Sequence, residues 1–264
     1  QEFGGYAEMM KKNIRRIEAG KQGLMELALG GTAVGTGLNT HKDFSKIAID
    51  EISGITDLKF SEATDHFEAQ SCKDAVVFMS SAFKTLAVSL SKIANDIRWS
   101  GSGPFGGIGE LILPEVQPGS SIMPGKINPV IPESVLQVSA RVVGNDTTIS
   151  ICGQSGNFQL NTMMPLIGFT SIESGLILAN GINTFIENCL IGLKADELRC
   201  SELVEKSLAM VTSIAPEIGY DAAAGIAKEA YLSGKTIREI LKEKKIADEK
   251  KIDELLDPMK MTGR

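Results

Sequence analysis

A chain of 264 residues, 43% hydrophobic and 23% charged, is long enough to bury a sizeable core and excludes a disordered or fibrous protein. A net charge of −6 without a basic stripe argues against nucleic acid as the main partner, though not against small anions. Cys72, Cys152, Cys189 and Cys200 show no CxxC spacing and read as reduced thiols of a cytoplasmic protein. No apolar run is long enough to span a bilayer and no signal segment opens the chain, so no membrane is expected.

The first residues, QEFGGYAEMM, lack an initiator Met and are already in helical periodicity, which suggests a piece of a longer protein. A helix is predicted from about Tyr6 to Leu29, stopped by Gly30 and Gly31, and a shorter amphipathic one over Phe44–Ile52. From Cys72 to Ile97 apolar residues alternate at spacings of three and four, the stripe of a bundle helix. With the residues before it, this helix would run for roughly 45 Å. A glycine-rich loop follows, with seven glycines between Gly101 and Gly125.

Beyond the loop, Asn128 suits an N-cap and Pro129 a first helical position. The helix they open, Val130 to Val143, has little polar surface, and a second apolar helix covers Met163–Ile186. Helices apolar on nearly every side are buried inside something large, here by other subunits. After Leu193 the helices become short, charged and well capped, with a T-x-x-E capping box at Thr236 and Glu239. Alternating strands are absent, so at most a short hairpin is expected. The predicted fold is all-α: a long-helix bundle over residues 1–193, carrying the loop 100–128, and a small helical domain over 194–264. His41 and His66, beside predicted helix starts, read as surface or capping residues.

The loop segment GSSIMPGKINPVIPE, Gly119 to Glu133, is too polar for a core and, with Pro124, Pro129 and Pro132, too rigid for a linker. It is not a phosphate loop: five residues rather than four separate Gly119 from Gly125, and Ile127 follows Lys126. GGTAVGTG at Gly30–Gly37 follows a helix rather than a strand, so the dinucleotide fingerprint fails as well. A carboxylate site remains. Lys126 supplies a point charge, Asn128 an amide, and the next helix its positive N-terminal end. Ser120 and Ser121 offer hydroxyls beside that charge, where a serine can be held as alkoxide and act as a base. A rigid capping loop with surface serines fits the same residues.

GSSIMPGKINP resembles the signature loop of the fumarase/aspartase superfamily. GGTAVGTGLN (Gly30–Asn39), KIANDIR (Lys92–Arg98), SGSGP (Ser100–Pro104), GELILPE (Gly109–Glu115), GNFQLN (Gly156–Asn161) and IENCLIGL (Ile186–Leu193) are similar, in the same order, to the class II fumarase branch. IGYDAAAGIAKEA and the terminal LDPMKMT are similar too. The resemblance covers the C-terminal part of a longer polypeptide. It implies the superfamily's central helical bundle, a homotetramer whose active sites are shared between subunits, and reversible hydration of fumarate to L-malate without a cofactor or metal. It assigns Ser120 as the base that takes the C3 proton. Lys126 and Asn128, with Ser121, become the groups that bind the dicarboxylate and its aci-carboxylate dianion, and Glu133 the partner of a catalytic histidine. That histidine, in a Thr-His pair, falls before Gln1, and neither His41 nor His66 matches it. The 264 residues alone are therefore expected to be inactive. Two departures stand out: Phe105 replaces a common Arg, and PVIPE after Asn128 is closer to aspartase. The alternatives are aspartate ammonia-lyase and a helical assembly module without catalysis.

Overall fold

The structure, a computed structural model, describes residues 1–103 and 105–263. Pro104, the last residue of the Ser100–Pro104 motif, and Arg264 lie outside the described residues. The chain is helical nearly throughout and divides into two compact units, residues 1–99 with 113–193, and residues 100–112 with 194–264.

In the first unit, α1 (Glu2–Gly23) leads through β1 (Glu26–Leu27) to α2 (Phe44–Thr56), β2 (Ser61–Glu62) and α3 (His66–Ser71). The long helices α4 (Asp74–Ser100), α5 (Val130–Gly153) and α6 (Met164–Phe185) follow, and α6 runs on into a π turn, Ile186–Leu190. Side-chain partners fix the directions. Tyr6 bonds Asp96 and Asn13 bonds Ser89, so α1 and α4 run antiparallel. Ser80 and Lys84 both reach Asp146, while Asn145 reaches Glu173 and Ser174, so α4, α5 and α6 alternate in direction. Leu86, Leu90, Ile93 and Ile97 of α4, Val142 and Ile149 of α5 and Ile167 and Leu178 of α6 form the apolar core. These are the period-3.6 positions that the sequence pattern marks.

Three sequence expectations are corrected here. The first helix stops at Gly23 rather than Leu29, because Met25–Leu27 leaves it to pair in parallel with Ser61–Ala63. Ser61 N–H donates to the Met25 carbonyl and Ala63 N–H to that of Leu27, both at 2.9 Å. The helix before the loop does not absorb the residues ahead of it: Cys72 is extended (φ −83°, ψ 141°), which makes α3 a separate turn. At 27 residues, α4 is about 40 Å long. Finally, α4 and the continuous segment Met164–Leu190 are each long and apolar enough to cross a membrane by length and composition, although no unbroken apolar run shows it.

The second unit is built around Met210, Ile214, Ile226, Ile237, Ile240, Leu241, Ile252 and Leu256. Its elements are β3 (Leu111–Ile112), β4 (Lys194–Ala195), α7 (Glu197–Lys206), a 3-10 turn Leu208–Ser213, α8 (Ala215–Ile218), α9 (Tyr220–Ser233), α10 (Ile237–Glu243), α11 (Glu249–Leu255) and a second 3-10 turn Pro258–Thr262. Instead of a local hairpin, β3 pairs antiparallel with β4 across a long stretch of sequence, Leu111 opposite Ala195. Arg199 fastens the same segment by donating to the carbonyls of Gly107 and Ile108. The capping box forms in full: Thr236 Oγ1 accepts from Glu239 N–H, and the Glu239 carboxylate accepts from Thr236 N–H.

Candidate active site

The loop Gly119–Asn128 lies wholly within the first unit, immediately ahead of α5. Its two ends are drawn together. Asn128 Nδ2 donates to the Gly119 carbonyl at 2.5 Å, nine residues upstream. The expected N-cap role of Asn128 is thereby corrected: its amide is spent on the loop, Pro129 occupies the cap position without a side-chain bond, and Val130 is the first helical residue. Leu113, Pro114, Val116 and the Asn128–Pro132 turn line a small cleft that Asn188 and Cys189 of the π turn complete. The Asn128 end of the loop therefore lies against this cleft.

Ser120, half-buried, sits directly after the pinned glycine. Its Oγ accepts hydrogen bonds from the backbone N–H groups of Ile122 and Met123, each at 3.1 Å. Serine often makes this turn with the residues two and three ahead. The chemical consequence is larger than the structural one, because two fixed N–H dipoles aimed at one oxygen favour its anionic form. Lys126, six residues on, is exposed, and among the described residues its ammonium has no partner. Ser121 is exposed, its hydroxyl likewise without a partner there. Glu133 is half-buried on the first turn of α5, its carboxylate facing no partner among the described residues. The loop thus gathers a serine oxygen under two amides, an uncommitted ammonium and an amide at its hinge.

The two histidines are engaged elsewhere. His66 opens α3, its Nε2 3.3 Å from the Leu29 carbonyl and 3.5 Å from Glu62. His41 Nδ1 accepts from the Asp43 N–H just ahead of α2. All four cysteines are free thiols. Burial pushes Cys189 up to about 11 and also raises Cys72 and Cys200, which makes them poor nucleophiles. No cluster of three or more His, Cys, Asp or Glu side chains able to hold a metal ion occurs among the described residues.

Sequence reasoning did not identify Gly119 or the amides of Ile122 and Met123 as parts of the site. The amides could have been found from the serine turn, since a serine before apolar residues in a proline-bounded loop favours that bond. The contact of Gly119 had no local signal, because its counterpart, Asn128, lies nine residues away.

Residues 1–144 match the protein family described as "Lyase", and residues 210–263 the family described as "Fumarase C C-terminus". Fumarate hydratase class II of Corynebacterium glutamicum is 46% identical over 267 residues, an alignment covering 99% of this chain and 56% of that protein. The mitochondrial fumarate hydratase of Danio rerio is 45% identical, with 100% of this chain and 52% of that protein covered. Class II fumarase of Schistosoma mansoni superposes with a TM-score of 0.93 at 34% identity, over 99% of this chain and 58% of that one. The chain therefore spans just over half the length of the relatives it matches.

Proposed function

Because this chain belongs to the lyase family that contains the class II fumarases, we propose that the whole protein interconverts fumarate and L-malate. The observation that carries the chemistry is the Ser120 oxygen, held by two backbone N–H groups on the loop that bears Lys126. As an alkoxide, Ser120 Oγ takes the C3 proton of L-malate. The C–H electron pair moves into the adjacent carboxylate, giving an aci-carboxylate with two negative charges on one end. That charge exists mainly at the top of the barrier, where a nearby ammonium and the remaining N–H of the hinge amide lower the energy most. Lys126 and Asn128 are assigned that task, with Ser121 as a further donor to the dicarboxylate. Collapse of the dianion breaks the C2–O bond, and the hydroxide leaves as water with a proton from an acid on the opposite face.

Glu133 is assigned as the partner of that acid, a histidine. His41 and His66 are committed to Asp43, Leu29 and Glu62, so residues 1–264 alone should not turn substrate over. A homotetramer with shared sites is part of the same reading, supported by the apolar outer face of α6. The expected division, a bundle over 1–193 followed by 194–264, differs from the two compact units in that residues 100–112 group with the second. The free thiols support a cytoplasmic location.

The test is Ser120→Ala in the full-length protein. Turnover of L-malate, followed by fumarate absorbance, should fall by at least about a hundredfold, as on removal of an acid–base group, with the folded structure unchanged. Near-normal turnover would remove Ser120 from the base role. The PVIPE sequence keeps a second reading in play: fumarate formed from L-aspartate, and not from L-malate, would move the protein to the ammonia-lyase branch.

A further inference from the structure

The catalytic reading explains Ser120, Lys126 and Asn128 but assigns nothing to the residue before them. A Cβ placed on Gly119 would lie 1.9 Å from the Lys126 carbonyl oxygen, 2.6 Å from its carbon and 3.0 Å from Ile127 N. All three are backbone atoms, so no side chain can swing away to make room. The φ of Gly119 is not in the left-handed region, which means the position demands bare space and not an unusual conformation. Gly125, in the same loop, is the opposite case: its φ is +76° and a Cβ there would meet nothing.

The Gly119–Lys126 contact and the Asn128–Gly119 hydrogen bond act on the same two strands of the loop. Together they fix the Cα that precedes Ser120 against the carbonyl of Lys126. Forcing them apart would move the Ser120 backbone relative to the Ile122 and Met123 amides and to the Lys126 ammonium at once. We propose that Gly119 is a positioning residue for proton abstraction: its missing side chain lets the loop close on itself, so that the Ser120 oxygen, its two amide donors and Lys126 keep one mutual geometry. The proposal rests on Ser120 being the base. It deepens that reading by naming what holds the base in place.

Displacements of about 1 Å at a reacting group cost on the order of a hundredfold in rate. In the full-length protein, Gly119→Ala should therefore lower kcat for L-malate by about a hundredfold while KM changes only a few-fold. The acidic limb of its kcat–pH profile should also move to higher pH, because a serine that has lost its amide donors is a weaker acid and is deprotonated only at higher pH. Gly125→Ala serves as the loop control: it strains the backbone without occupying the contact, so its pH profile should stay in place. Circular dichroism and the oligomeric state of both variants establish that they fold. If Gly119→Ala folds and keeps normal kcat and pH profile while Ser120→Ala is inactive, the positioning role is wrong and the base assignment stands. Retention of turnover by Ser120→Ala would overturn both. Equal losses in Gly119→Ala and Gly125→Ala, with neither profile shifted, would reduce Gly119 to general loop stiffness and overturn the proposal as well.

Discussion

Ser139 and Ser174 show how differently the same residue type behaves on two facing helices. Both are almost completely buried. Ser174 Oγ donates to the Thr170 carbonyl and accepts from Asn145 Nδ2, whereas Ser139 Oγ has no partner among the described residues. A buried hydroxyl without a hydrogen bond costs about 1–3 kcal/mol, and one bond is worth about 1 kcal/mol net. Ser139→Ala should therefore leave stability unchanged or raise it by up to about 1 kcal/mol, while Ser174→Ala should lower it by about that amount or more. Urea unfolding of the two variants decides it; a clear loss in Ser139→Ala would mean that its hydroxyl is satisfied. Nothing in the sequence separates these serines, since each sits in an apolar helical run. The same holds for Asn128, which has the residue type and position of an N-cap but whose amide is taken by a carbonyl nine residues back. Ser120, Ser121 and Lys126, by contrast, stood out as candidates because polar groups crowd into a proline-bounded loop, whereas Glu133, on the first turn of α5, stood out only through the family resemblance.

Between α5 and α6 the polar residues form one linked group: Asn145 and Arg141 both donate to the Glu173 carboxylate. The Asn145 bond first, then Arg141, holds Glu173 below the ordinary glutamate range. A carboxyl whose folded-state pKa is depressed contributes stability that is complete above its unfolded value, ~4.3, and is lost as pH falls through the lower folded value. The difference in thermal midpoint between the native protein and Glu173→Gln should be constant from neutral pH to about 4.5 and close below that. A gap that stays constant to pH 3, or widens, would show that Glu173 is not tuned by this pair. At this scale the sequence was most informative where periodicity alone decides, as in α4, α5 and α6. It failed where distant backbone competes for the chain: the apolar pattern after Gly23 continues, yet Glu26–Leu27 is claimed by a strand 35 residues away. The short pair of Leu111–Ile112 with Lys194–Ala195 was illegible for the same reason.

Taken as a whole, the first unit has more apolar surface than it can cover. Along α6 one face, with Ile167, Ser174 and Leu178, is packed, while Leu166, Phe169, Ile172 and Leu176 stand outward, Phe169 and Ile172 each 65% exposed. Phe78, Val88 and Trp99 of α4 and Ile151 of α5 add to it. At roughly 25 cal/mol per Å² of apolar area, a few hundred Å² left in water on each helix forgoes several kcal/mol, comparable with the stability of an entire domain. Two environments could recover it, a protein partner or a lipid bilayer. Crossing a bilayer would carry the Glu173–Arg141 and Lys84–Asp146 pairs toward hydrocarbon, where each charge costs about 2.5–3.5 kcal/mol even on the gentlest scale. A second copy of this chain has no such penalty, and the outward face of α6 is itself nearly free of charge, so self-association is the expected outcome. Light scattering on the 264-residue chain in detergent-free buffer should give a mass well above that of one chain. Phe169→Lys with Ile172→Lys, two outward positions that leave the packed face intact, should shift that mass toward the monomer with helix content preserved. A wild-type chain that is monomeric without detergent, or one that floats with lipid vesicles, would overturn the assignment of this face to another copy.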